Sequence, residues 1–96
     1  MKDITELIEE LKHRDSNVRQ NAAETLGMIG DEKAIDSLTL ALKDTNRFVR
    51  QDVIAALGKI GGARLAESLT QAFEEEKDEV VRDSIERALE KLQKIA

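Results

Sequence analysis

An all-α fold, a solenoid in which three helix hairpins stack as an α-α superhelix of six helices, is predicted from three observations. Composition is the first: the 96 residues contain no proline or cysteine, only two aromatic residues, and are rich in helix-forming Ala, Leu, Glu, Lys and Arg. A repeat is the second. Shifting the chain by 31 residues aligns Leu7 with Leu38, Leu11 with Leu42, Val18-Arg19-Gln20 with Val49-Arg50-Gln51, and Leu26-Gly27 with Leu57-Gly58. Self-similarity at such a period marks units that cannot bury an apolar face alone and must stack. The third observation is helical spacing of apolar residues on both sides of a short polar break within each unit.

The first unit reads Ile4, Leu7, Ile8 and Leu11 as one stripe and Val18, Ala22, Leu26 and Ile29 as a second, separated by Asp15-Ser16. Asp15 is an expected cap for the free amides of the second helix. Gly30 supplies a left-handed stop, and Asp31 caps the next helix. The second unit repeats this with Leu38 and Leu42, the break Thr45-Asn46, then Val49, Val53, Leu57 and Ile60 before Gly61. The third has Leu69 and Phe73 in frame, then one extra residue in the acidic run Glu74-Glu75-Glu76, and resumes with Val81, Arg82, Ile85, Leu89 and Leu92. Asn46 and Asp78 are its sister caps. One domain over residues 1–96 is expected, with repeats at about 1–30, 31–61 and 62–96. Gly27 and Gly58, mid-helix, are expected to admit close approach of a neighbouring helix. Flanked on both sides, the middle unit should hold the most buried set: Leu38, Leu42, Val49, Val53, Leu57 and Ile60.

The stretch DSNVRQNAAETLGMIGDEKAIDSLTLALKD from Asp15 to Asp44, repeated as NRFVRQDVIAALGKIGGARLAESLTQAF, resembles HEAT-like repeats of the phycobilisome-lyase (PBS lyase) type. That resemblance covers nearly the whole chain. It implies a right-handed stack of hairpins acting as an interaction surface, with second helices on the concave side. It also implies that the repeating arginine bonds within and between repeats, and it brings in bilin-lyase accessory chemistry as a remote alternative.

Arg19, Arg50 and Arg82 form the repeating arginine ladder. A cation in the first turn of a helix is unfavourably placed and calls for an acid nearby, and Asp15, Asp44 and Asp78 are the expected partners. This structural reading is preferred over a grip on an anionic ligand. His13, beside Lys12 and Arg14, reads as a solvated helix end. The acidic run lacks the spaced oxygens and turning glycine of a calcium loop, and Gly58-Lys59-Ile60-Gly61-Gly62 lacks the phosphate-loop signature. No nucleophile, base and acid fall at useful spacing, so the expected protein is not an enzyme and needs no cofactor or metal.

A net charge of -5 argues against nucleic acid, and no apolar run is long enough to span a membrane. A cytoplasmic protein, monomeric or weakly dimeric, is expected to bind a protein partner. Projection of the second helices puts Gln20, Glu24, Gln51, Ala55, Asp83 and Arg87 opposite the core stripe, with Met28, Lys59 and Lys91 beside them. These residues are the candidate binding surface. The competing reading is a self-associating subunit that uses Val80, Ile85, Leu89, Leu92 and Ile95 on the last helix.

Overall fold

The computed structural model describes residues 2–95, with side chains through Gln93. Among the described residues six α-helices occur in the order α1 (Ile4–Glu10), α2 (Ser16–Ile29), α3 (Ile35–Ala41), α4 (Arg47–Ile60), α5 (Leu65–Glu75) and α6 (Glu79–Ile95). A 3-10 turn, Glu32–Ala34, precedes α3, and no strand occurs among the described residues. The fold is therefore the all-α stack of hairpins expected from the repeat.

Local chemistry sets the boundaries. Asp15 accepts from the Asn17 amide at 2.8 Å, Asn46 from Phe48 and Val49 at 2.8 and 3.2 Å, and Asp78 from Val80 and Val81 at 2.9 and 3.3 Å. Each cap satisfies donors that have no partner within their own helix. Asp31 caps the 3-10 turn through the Lys33 amide rather than α3 itself. Gly30 closes α2 in the left-handed conformation, at φ 74° and ψ 18°. The end of α4 differs from that expectation, because Gly61 has φ 81° but ψ -136°, and Gly62 follows at φ 106°.

Packing between hairpins is carried by the second helices. α2 lies against α4 and α4 against α6, whereas α1, α3 and α5 scarcely touch one another. A stack in which one row of helices touches while the other fans apart curves with the touching row inside. The second helices thus line the concave side.

Buried apolar side chains form one contiguous cluster from Leu7 to Ile85, with Leu26, Leu38, Val49, Val53, Leu57, Leu69, Val81 and Ile85 the largest fully enclosed. Two residues expected in the most buried set are only half-buried: Leu42, where the first helices fan apart, and Ile60, on the last turn of α4. Of the apolar residues on α6 assigned to self-association, Ile85 belongs to the core and Leu89 and Leu92 are half-buried, which leaves Val80 exposed. The Ile95 side chain lies outside the described ones.

The two mid-helix glycines part company. A Cβ on Gly27 would stand 2.8 Å from the Ala56 Cα, so α2 and α4 meet backbone to backbone there. Gly58 has nothing within 4 Å and faces solvent, so its expected role in close approach is not realised. Alanine in a helix is favoured over glycine by about 1 kcal/mol, whereas overpacking a filled contact costs roughly 1–3 kcal/mol. Opposite signs are expected: Gly58→Ala raises the denaturation midpoint and Gly27→Ala lowers it, as measured by urea melts of the two variants.

Candidate functional site

Equivalent residues of α2, α4 and α6 fall in rows across the concave side. The stripe Asn17, Glu24 and Met28 on α2 recurs as Phe48, Ala55 and Lys59 on α4 and as Val80, Arg87 and Lys91 on α6, every one of them exposed. Three large apolar side chains stand in this stripe, with Met28 70%, Phe48 54% and Val80 49% exposed. Glu24, Ala55, Lys59 and Arg87 are thus displayed as the sequence suggests. Asp83 is exposed too and pairs with Arg87 at 2.9 Å, one turn away on the same helix.

Gln20 and Gln51 depart from that expectation. Both are half-buried and turned toward the next second helix: Gln20 Nε2 donates to Asp52 at 3.2 Å, and Gln51 Nε2 lies 3.5 Å from the Ser84 hydroxyl. They bridge neighbouring helices. Phe48 escaped the sequence reading, although it stands seven residues before Ala55, on the same helical stripe.

The arginines stand below this face. Arg19 donates from Nε and Nη2 to both carboxylate oxygens of Asp44, at 2.8 and 3.1 Å, and from Nη1 to the carbonyls of His13 and Arg14. Arg50 repeats the pattern on Glu76, at 2.8 and 3.1 Å, with Nη1 on the Asp44 carbonyl at 2.7 Å. The planar guanidinium fork matches a carboxylate edge to edge, so each pair is bidentate and links one hairpin to the next. Both pairs are largely shielded, the Arg50 and Glu76 side chains being 16% and 8% exposed.

Of the three expected acids, Asp44 does pair with a ladder arginine, and its carbonyl also accepts from Arg50. Asp15 serves as a cap, Asp44 pairs with Arg19 of the preceding hairpin, and Asp78 caps α6 while pairing with Arg47. Glu76 was overlooked inside an acidic run. The signal that identifies it is its offset of 32 residues from Asp44, the same offset that separates Arg82 from Arg50. Among the described residues Arg82 has no such pair: Nη1 donates to the carbonyls of Phe73 and Glu76 at 2.8 and 3.0 Å, and the guanidinium lies 3.9 Å over the Phe73 ring.

His13 occupies the place that Asp44 and Glu76 hold in later units. Its Nδ1 accepts the Asp15 amide at 3.0 Å, as Asp44 accepts from Asn46 and Glu76 from Asp78.

On the opposite, convex side a groove of about 440 Å³ opens between α3 and α5, with Leu40, Lys43, Gln71 and Ala72 on its walls and Arg50 and Glu76 among its lining. It follows from the fanning of the first helices. No group of three or more acidic or histidine side chains is arranged to hold a metal among the described residues, nor is any described helix long and apolar enough to cross a membrane.

A family model described as HEAT repeats matches residues 4–90. Comparison with curated proteins gives no match.

Proposed function

Because the chain belongs to the HEAT repeat family, whose repeats commonly mediate contacts between proteins, we propose that it is a non-enzymatic scaffold that binds a protein through its concave face. One observation carries the reading: the second helices display Met28, Phe48 and Val80 in corresponding stripes. Charged neighbours Glu24, Lys59, Arg87 and Lys91 share those stripes. Apolar contacts framed by charge supply attraction and register together, the combination that protein interfaces use. The 31-residue period and the Val-Arg and Ile-Gly signatures support the PBS lyase subtype of the family.

Ala55 and Lys59 are exposed, so Ala55→Arg with Lys59→Glu is expected to change stability by no more than about 0.5 kcal/mol each. The same pair should remove any partner retained by the immobilised wild-type protein from a native lysate. Two comparisons sharpen the test. Glu9→Lys with Glu67→Lys alters exposed positions on the first helices away from the groove, and Leu40→Glu alters the groove wall. Retention of the partner by the Ala55/Lys59 variant and its loss from Leu40→Glu would move the interface to the convex side.

A further inference from the structure

Resting on the concave-face reading, we infer that the partner segment taken up by the α4–α6 half of that face is acidic. Its apolar side chains seat on Phe48 and Val80 at one end, and its carboxylates meet Lys59, Arg87 and Lys91 at the other. Charge is divided between the two rows of helices. Helices α1, α3 and α5 contain no lysine or arginine, and they display Glu6, Glu9, Asp36, Glu67 and Glu74 to solvent. The concave stripe is the reverse, with Lys59, Arg87 and Lys91 exposed against a single acid, Glu24, which stands on α2. A chain of net charge -5 thus carries the bases of its helices on the concave row.

The stripe also orders its contacts along the helices. Phe48 and Val80 stand in the first turns of α4 and α6, and Lys59 and Lys91 follow eleven residues later, about 16 Å away at the helical rise. Between them Ala55 forms a low floor over which a chain can pass. Lys59 and Lys91 make no ion pair among the described residues, and Arg87 is tied only to Asp83, in a pair whose side chains are 75% and 54% exposed. Such a pair is weak and leaves guanidinium donors for an incoming carboxylate. Glu86 and Glu90 stand about 100° round the helix from Arg87 and Lys91. Charges more than about 8 Å apart are largely screened at physiological salt, so acids on the other row weigh little against contacts made at the stripe.

Other occupants fit less well. A basic segment meets like charge, and a phosphate backbone meets the cations but leaves Phe48 and Val80 uncovered. A second copy of the chain offers, among the described residues of its acidic helices, one exposed large apolar side chain, Leu40, where the stripe presents two apolar positions and three cations.

Two synthetic peptides serve as probes. Each carries a pair of leucines and a Gly-Ser spacer able to cover about 16 Å, followed by a run of glutamates in one and of lysines in the other. In proton-nitrogen spectra of the full chain, the glutamate peptide is expected to shift the backbone signals of Phe48, Ala55, Lys59, Val80, Arg87 and Lys91 saturably, with half-saturation at about 0.1–1 mM. It should bind at least about tenfold more tightly than the lysine peptide, and about 1 M salt should shrink that ratio. In the variant carrying Lys59→Glu and Lys91→Glu, both at exposed positions, the order of the two peptides should reverse. Equal binding of both peptides at the stripe, or an unchanged order in the variant, would overturn the acidic assignment and leave the concave face in place. Shifts centred on Leu40 and Ala72 would overturn both. Absence of a saturable shift with the glutamate peptide, or sedimentation showing that the chain alone dimerises through the stripe, would overturn the acidic partner as well.

Discussion

Leu57→Ala is expected to remove about 2–5 kcal/mol of folding stability, the range for truncating a fully enclosed leucine whose surroundings cannot collapse into the void. Leu57 is 1% exposed, in the C-terminal half of α4, the helix that packs against both α2 and α6. Its cavity would be shared between hairpins, and relaxing into it would require the stack to close. Urea denaturation measures the loss directly. A drop below about 1 kcal/mol, the level of a partly solvated site, would mean that the middle hairpin is less enclosed than the structure shows. Leu42→Ala provides the graded comparison, because Leu42 is half-buried beside the convex groove and should lose less.

Arg50→Met is expected to cost about 1–3 kcal/mol, since methionine keeps much of the aliphatic stem but leaves the shielded Glu76 carboxylate and the Asp44 carbonyl without their donor. Glu76 retains the Asp78 amide at 3.0 Å, which moderates the penalty. The substitution separates the structural reading of Arg50 from that of a grip on an anionic ligand. A ligand grip predicts unchanged melts and lost binding. A joint between hairpins predicts a lowered midpoint with no partner present.

The fold was readable because its determinants are periodic. Leu26 and Leu57, or Asp15 and Asn46, recur at the repeat distance and do the same job in each unit. What the repeat alone did not reveal are the places where equivalent residues meet unequal neighbours. Gly27 and Gly58 align, yet only Gly27 has another backbone against it, because contact depends on how adjacent second helices sit. The arginine partners were sought in the local turn, where Asp15 and Asp78 lie close in sequence, but the guanidinium reaches a carboxylate 25 or 26 residues later, beyond the first helix of the following hairpin. Such a contact is invisible to helical periodicity and becomes legible once hairpins are stacked in register.

The candidate face shows the same division. Glu24, Ala55 and Arg87 were found by projection and are exposed, since projection needs only the helix axis and the core stripe. Gln20 and Gln51 sit on the flank that turns toward the next second helix, a direction set by stacking. Phe48 stands in the first turn of α4, one residue before Val49 of the core and one and two turns before the projected positions Gln51 and Ala55, so the projected rows did not include it.

That shielded arginine–carboxylate pairs join successive hairpins is what holds the displayed stripes of the second helices in register. A double-mutant cycle on Arg50→Met and Glu76→Gln tests it most directly, with Arg87→Met and Asp83→Asn as the exposed reference pair. Residues in one buried network couple by roughly 0.5–3 kcal/mol, whereas exposed pairs one helical turn apart give about 0.3–0.5 kcal/mol. The expected result is a coupling of at least about 1 kcal/mol for Arg50 with Glu76 and less than about half of that for the reference pair. Additivity of the Arg50 and Glu76 substitutions, to within about 0.3 kcal/mol, would contradict the joint and return these arginines to the role of ligand contacts.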